Sequence, residues 1–589
     1  MNPREVYEFG EFRLDVPERR LSRGTTSIPL APKAFDILVA LVRRAGRLIS
    51  KRELLALVWP DTFVEMGIVA VHISALRQAL DDTNRSPRYI ETVSRSGYRL
   101  TAVVRPIDGA SRFASAAART SLAVLPFKPL IEEMRDAALE IGVADSVIAR
   151  LGRECAIVVR PLSAVRKFVE LDQDPVAAGR ELGVNAVVDG TIRRYGDEIT
   201  VTARLLNVAD GSSMWAATFA RRLADIFDVE EAIADQVFEA LDVGPSTRRP
   251  AWSRKRYTKN SEAYLLYLKG RYLWERRTDG SALKAIEQFE AAIEKDPLYA
   301  LAYSGLGACY QTLSFTNGFP PRDVFPKSRL ALLRAAKLDE SLPQAHESLA
   351  GFKFWYEWDW EGAEREFTRA IELDPDQPAA HRFFGHYLSN MGRHERALYE
   401  TRLALELDPS SIVTHARLGQ FLYQAGDQEG ALEQLHRALK MDPEYWMTRL
   451  NLGRVYERQG RYAEALTELG AACVRTKRSG EVKGTLGYAL AASGRQTEAR
   501  NVLEEMRRAQ DGGLVYGYYL ALIAAGLGDR EQMYAQLRSA LDDRDPGLTF
   551  LLVEPRWAPY SREAAFQDVF NRVGFHTAAS DPVPPKFSA

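Results

Sequence analysis

Cysteine is scarce in this 589-residue chain: Cys155, Cys309 and Cys473 lie far apart and form no CxxC pair or Cys/His cluster. A disulfide framework and a zinc site are therefore not expected, and a reducing cytoplasm is the natural compartment. Long apolar runs are missing too, since nothing approaches the roughly 18–20 residues that span a bilayer. The opening MNPREVYEFGEFRL lacks the apolar core of a secretory signal. A soluble protein without a membrane partner is expected. Charge of one sign is absent overall: 78 Lys and Arg stand against 79 Asp and Glu, a balance that implies no polyanionic partner. There is no GxxxxGK[ST] phosphate loop, GxSxG elbow or Rossmann glycine pattern after a strand, and HESLA at 346 lacks the second histidine of a zinc protease. No catalytic residue, metal ligand or cofactor is expected.

What is present is unevenly distributed. Residues 1–105 hold 17 basic and 12 acidic residues, whereas 106–256 hold 20 and 22, and 257–589 hold 41 and 45. A composition of 46% hydrophobic and 27% charged residues suits a globular chain with room for three or four domains. The amino end opens with short alternating stretches, YEF, FRLDV, RRLSR and TSIPL, that predict a small antiparallel sheet. Pro32 then opens a helix with Phe35, Leu38, Leu41 and Val42 on one face, and Ser50 with Glu53 forms a capping box for a second. In IVAVHISALRQAL, residues 68–80, Val69, Ile73, Leu76 and Leu80 make one apolar stripe, with Gly67, Val71, Ser74, Ala75 and Gln78 opposite. YIETVSRSGYRLTAV then predicts a hairpin with Ser94, Arg95 and Ser96 at its tip.

LAPKAFDIL, SKRELLALVW, VAVHISALRQAL and TVSRSGYRL follow in this order within residues 5–103. The set resembles the OmpR/PhoB-type winged-helix DNA-binding domain. That resemblance implies a third helix in the major groove of double-stranded DNA and a hairpin wing in the adjacent minor groove. Lys51, Arg52 and Arg77 are then placed to neutralise phosphates. Ser74 and Gln78 can hydrogen-bond base edges, Val71 can meet a thymine methyl, and Arg95 suits a narrow minor groove. Relatives often carry Arg or Asp where this chain has Ala70 and Ala75, so direct readout by one copy is thin and a homodimer on DNA is expected. No receiver domain is seen ahead of this segment. A repeat scaffold whose winged helix no longer binds DNA is the alternative.

Residues 104–119, rich in Ala and Ser, are expected to be a linker. Residues 120–243 show a β-α-β-α-β-β-β-α order, a compact α/β domain. LAVLPF, VNAVVDGTI and DIFDVEEAIA resemble a TolB-like amino-terminal domain, read as a structural or dimerising spacer. Asp145, Asp189 and Asp197 are isolated carboxylates, taken as caps at helix or turn positions.

Downstream, AAIEKDP, AIELDP, ALELDP and ALKMDP end at Pro297, Pro375, Pro409 and Pro443, the last three 34 residues apart. Ala363, Phe367 and Ala370 recur as Ala431, Leu435 and Ala438, and Gly351, Gly385, Gly419, Gly453 and Gly487 keep the same period. The pattern resembles tetratricopeptide repeats (TPR), about eight over 262–547, followed by a capping segment at 548–575 ending in SREAAFQDVFNRVGF. The family's groove offset implies a partner-binding lining of Phe352, Trp355, Arg382, His386, Gln420, Tyr423, Arg454, Glu457 and Tyr488, suited to a protein or peptide. His386 is expected to be solvated there, and the aromatic run FKFWYEWDW to serve inter-helix packing. The whole is expected to be multidomain: an α+β winged helix, an α/β TolB-like domain and an all-α TPR solenoid, together a DNA-binding transcriptional regulator.

Overall fold

Phe9, Phe12, Leu14 and Leu21 alternate with polar neighbours and all become buried, so the stretches carrying them pair as a sheet with one inward face. In the computed structural model the residues described are 6–16, 20–23, 26–28, 30–45, 48–58, 67–82, 88–93, 97–102, 104–106, 120–152, 157–241, 258–276, 280–317, 319–476, 479–511 and 517–575. The chain divides into two compact units, Met1–Arg119 and Thr120–Ala589.

In the first unit β1 (Val6–Phe9), β2 (Phe12–Asp15), β3 (Arg20–Arg23) and β4 (Thr26–Ile28) form consecutive antiparallel hairpins. β8 (Val104–Pro106) pairs with β1 on its free side, so residues 104–106 complete the sheet rather than begin the linker. Helices α1 (Pro32–Arg43), α2 (Lys51–Val58) and α3 (Gly67–Ala79) follow. β6 (Ile90–Val93) and β7 (Gly97–Leu100) form the hairpin, with β5 (Ile49–Ser50) against β7. The capping box is in place: Ser50 N–H donates to Glu53 at 2.8 Å and Glu53 N–H to the Ser50 hydroxyl at 3.2 Å, a device that stabilises a helix start by about 1 kcal/mol.

The second unit begins with an α/β layer. β9 (Thr120–Val124) lies between β10 (Ile157–Val159) and β11 (Ala186–Tyr195), parallel to both, and β12 (Glu198–Asn207) and β13 (Ser213–Arg222) extend the sheet antiparallel. α4 (Ala137–Leu151) and α7 (Ile226–Ala240) cover one face. α5 (Leu162–Val165) and α6 (Pro175–Leu182) cover part of the other. The three aspartates taken as caps are ion-paired instead: Asp145 with Arg271, Asp189 with Arg204 at 2.8 Å, and Asp197 with Arg222 at 3.2 Å. Spacing shows a carboxylate near a turn, but the opposing cation comes from another element.

Among the described residues, Ser261–Asp542 form eight antiparallel helix pairs. The glycines of the first helices are close-approach points: a Cβ on Gly419 or Gly453 would lie 2.5 Å from Leu435 or Leu469 of the paired helix. Ala363, Phe367, Ala370, Ala431, Leu435 and Ala438 are buried against them. A second glycine row, Gly392, Gly426, Gly460, Gly494 and Gly528, keeps the 34-residue period with φ between 71° and 87°. It supplies the left-handed residue that ends the first helix of each of the last five pairs. A polar ladder fixes the repeats to one another. His381 bonds Glu400 at 2.8 Å and the Pro375 carbonyl at 2.9 Å. His415 repeats this with Gln434 and Pro409. Arg449 does so with Glu468 and Pro443.

The α/β layer and the first repeats share one continuous apolar core. At their joint Phe227 packs 4.6 Å from the Tyr264 ring of α8 (Ser261–Arg276). A second tie is the Ser163 hydroxyl, 2.6 Å from Asp408 of the fourth repeat. Glu230 of α7 is fully buried at the joint and accepts from Ser146 and from Tyr264 at 2.5 Å each. Burial pushes its carboxyl up to about 7, against the pull of Ser146, Tyr264 and Arg150. A carboxyl raised in the fold contributes stability that is complete below its unfolded value and is lost as pH rises through about 7. Glu230→Gln should therefore remove a pH-dependent loss on the order of 3 kcal/mol between pH about 5 and 8. Superimposable denaturation profiles for wild type and variant across that range would refute the assignment.

Candidate nucleic-acid interface and repeat groove

α3 buries Val69, Ile73, Leu76 and Leu80 and exposes Ala70, Val71, Ser74, Ala75 and Gln78. Val71 is 63% exposed, an apolar side chain left in solvent on the face that also carries Ser74 and Gln78. Lys51 is half-buried at the start of α2. The Arg52 side chain and the hairpin tip with Arg95 lie outside the described residues.

Arg77 is placed differently from the phosphate contact expected of it. Its guanidinium donates to the Ile90 carbonyl at 2.7 Å and to the Thr92 hydroxyl at 2.8 Å, tying α3 to β6. Just past α3, Asp82 accepts the backbone N–H groups of Arg88, Tyr89 and Ile90 at 2.7, 3.2 and 2.7 Å. Arg23 bridges Asp81 and Glu11 at 2.8 Å each. The end of α3, the hairpin and the first sheet are thereby held in one register. Periodicity puts Arg77 at the flank of the helix, but only the folded hairpin brings the Ile90 carbonyl within its reach.

The nine groove residues do come together, though not as an open lining. After the last helix pair the chain makes two tight helical turns, Pro546–Phe550 and Pro555–Tyr560, then helix Ala564–Arg572. This segment lies against the expected lining. Arg556 donates to Glu457, at 2.8 Å from Nε, lies 3.6 Å from Glu554, and places its guanidinium 4.9 Å from the Tyr488 ring. Burial opposes that charge, but Glu457 and Glu554 outweigh it and hold Arg556 protonated. Phe550 packs 5.8 Å from the His386 ring, Asn390 donates to Thr549 at 3.3 Å, and Trp360 stacks on Phe575 at 4.8 Å.

The remaining lining is engaged internally. Phe352 is buried beside Phe325 and Tyr356, and Trp355 packs 5.0 Å from Phe315. The Arg382 guanidinium lies 4.2 Å from the Phe383 ring. Gln420 is buried and accepts from Arg417 at 2.6 Å. Tyr423 is buried, and Arg454 donates to Glu481 at 2.9 Å. His386 is buried, not solvated: burial, with Arg417 and Arg382 nearby, holds its ring far below the usual histidine value. The aromatic run packs between helices, as Phe325 stacked on Tyr356 at 4.9 Å illustrates. The residue missed by sequence reasoning is Arg556. Its one signal is a lone basic residue in the apolar stretch LLVEPRWAPY. Among the described residues no group of His, Cys, Asp or Glu could hold a metal ion, and no helix is long and apolar enough to cross a membrane.

A family model described as the carboxy-terminal domain of transcriptional regulatory proteins matches residues 24–100, and a tetratricopeptide-repeat model matches 417–481. The chain carries an OmpR/PhoB-type DNA-binding domain at its amino end and TPR repeats at its carboxy end. Transcriptional regulator HilA of Salmonella typhi is 24% identical over 346 residues, 58% of this chain and 59% of that protein. A protein named putative adenylate cyclase 3, of Rhizobium meliloti, is 29% identical over 240 residues, 40% of this chain and 41% of that protein. The solved DNA-binding domain of Escherichia coli CadC is 32% identical and covers 18% of this chain and 99% of its own, with a TM-score of 0.17. The chain spans about half the length of the curated relatives it matches.

Two substitutions test the winged-helix clamp and the TPR closure. Arg77→Ala should leave α3 helical while hydrogen exchange at Ile90–Val93 accelerates; unchanged exchange would mean that Arg77 holds nothing. Arg556→Ala leaves the buried Glu457 without its cation, a loss of roughly 3–5 kcal/mol. Chemical denaturation followed in the repeat unit measures this, and a loss under about 1 kcal/mol, the scale of an exposed pair, would make the contact peripheral.

Proposed function

We propose that this chain is a cytoplasmic transcriptional regulator that grips promoter DNA through its winged helix, two copies to a site, while its TPR unit engages a protein partner. The observation that carries this is the outward face of α3, where Val71, Ser74 and Gln78 stand in solvent above a fully buried stripe. Ser74 and Gln78 supply hydrogen-bonding groups for base edges, and Val71 an apolar contact for a thymine methyl. Lys51, Arg52 and Arg95 are assigned to the DNA backbone and minor groove. Arg77 acts through the hairpin it positions. The α/β domain, TolB-like in its motifs, is assigned as the spacer that seats the repeats. With residues 545–575 in place, Glu457, Tyr488 and His386 meet the chain's own segment and the other groove residues are engaged within the repeats, so the partner surface is assigned elsewhere on the array. A second reading, an interaction scaffold that has lost DNA binding, is favoured by the bare Ala70 and Ala75 on the same face.

Fluorescence titration of the full chain on duplex DNA separates the two. If about four phosphates are neutralised, affinity should fall roughly a hundredfold between about 50 and 200 mM salt. Gln78→Ala should also change the core sequence selected from a randomised duplex pool. Binding that is absent or indifferent to salt favours the scaffold, and an unchanged core sequence removes Gln78 from base reading.

A further inference from the structure

β13 ends the five-stranded sheet, and no described strand lies beyond it. Leu223 N–H donates to the Asp197 carbonyl at 2.7 Å, continuing the ladder in which Arg222 faces Glu198 and Arg221 faces Ile199. In an antiparallel pair a residue turns both its N–H and its C=O either toward its neighbour strand or away from it. The odd-numbered residues of 215–221 are therefore bonded to β12, and Ala216, Thr218, Ala220 and Arg222 aim their backbone groups at the open edge. Such edges are usually blunted by proline, by lysine or by a bulge along the strand. β13 reads SMWAATFARR, with no proline, glycine or lysine, and its register to β12 shifts only near its start, at Leu205/Leu206. Ala216, Thr218 and Ala220 are exposed.

The charges on this edge favour one occupant. Arg221 and Arg222 mark one end, and Asp210, in the turn before Ser213, marks the other. Hydrogen bonds from the Ser212 hydroxyl and N–H hold the Asp210 carboxyl below its ordinary range, so it is ionised. A parallel copy in register would set arginine beside arginine, which is destabilising for like charges directly opposite. An antiparallel copy avoids this.

We propose that β13 pairs antiparallel with β13 of a second copy of this chain, about a two-fold axis through Thr218, so that the two sheets continue as one. Thr218 then faces its counterpart, Ala216 faces Ala220, and Arg222 faces Met214. Arg221 comes opposite Trp215, an aromatic partner for a guanidinium. Each arginine end meets the Asp210 turn of the other copy, and the two-fold repeats every contact. The pairing gives a surface to the two-copy reading above and is tested without DNA, so either can fail alone.

Light scattering of the full chain at micromolar concentration should give twice the chain mass of 66.0 kDa. Thr218→Pro removes an edge N–H that β12 does not use, a position where proline is tolerated in an edge strand. It should yield a monomer with unchanged circular dichroism and melting. Thr218→Glu sets two carboxylates against each other on the axis, should also yield a monomer, and decides the matter if the proline variant unfolds. A monomeric wild type, or dimers that persist in the folded variants, would overturn the pairing.

Discussion

The shape of the repeat unit depends on one buried charge. Arg556 cannot stay inside a protein unpaired, because removing a cation from water costs several kcal/mol before any partner is found. Glu457 from the sixth helix pair and Glu554 from the returning segment both supply that partner, and Tyr488 offers a ring face. Once this site is satisfied, the rest of the segment has its place. Trp557 is buried with its indole N–H on the Tyr518 hydroxyl at 3.0 Å, and Phe575 lies on Trp360 of the third pair. A TPR array bonded only between neighbours behaves as a one-dimensional spring. Here contacts 99 to 214 residues apart in sequence join its far end to its middle, which favours cooperative rather than repeat-by-repeat opening.

The α/β layer closes the same array from the other direction. Its core is continuous with that of the first repeats, and Asp145 and Ser163 reach Arg271 and Asp408 from two separate helices. A solenoid end would otherwise expose the apolar face that stacking normally buries. The layer acts as that end cap, which explains why α4 and α7 present apolar residues both to their own sheet and to α8.

In the winged helix the comparable constraint is the Arg77 clamp. A cation at the flank of an exposed helix face can pair with an outside anion or with a local carbonyl, and the hairpin offers Arg77 the carbonyl at 2.7 Å. The two hydrogen bonds from Arg77 hold α3 and the hairpin in fixed register. It also leaves the outward face of α3 with small side chains, Ala70, Ser74 and Ala75.

The sequence by itself determined the elements and their order. Apolar periodicity, the Ser50–Glu53 box and the 34-residue Gly, Ala and Pro marks are local signals, each set by neighbours within one or two turns. They placed α1 to α3, the hairpin strands and the helix pairs. Even the second glycine row was present in the residues, legible to anyone asking where a left-handed turn must fall. Only the tertiary structure decided what the polar side chains do. Arg77, Asp145, Asp189, His386 and Arg556 each find neighbours on other elements of the fold, and for His386 it is burial that holds the ring far below its usual value. The open groove failed for the same reason: the lining was readable from repeat spacing, but its occupant comes from the far end of the chain, and no periodicity encodes that meeting.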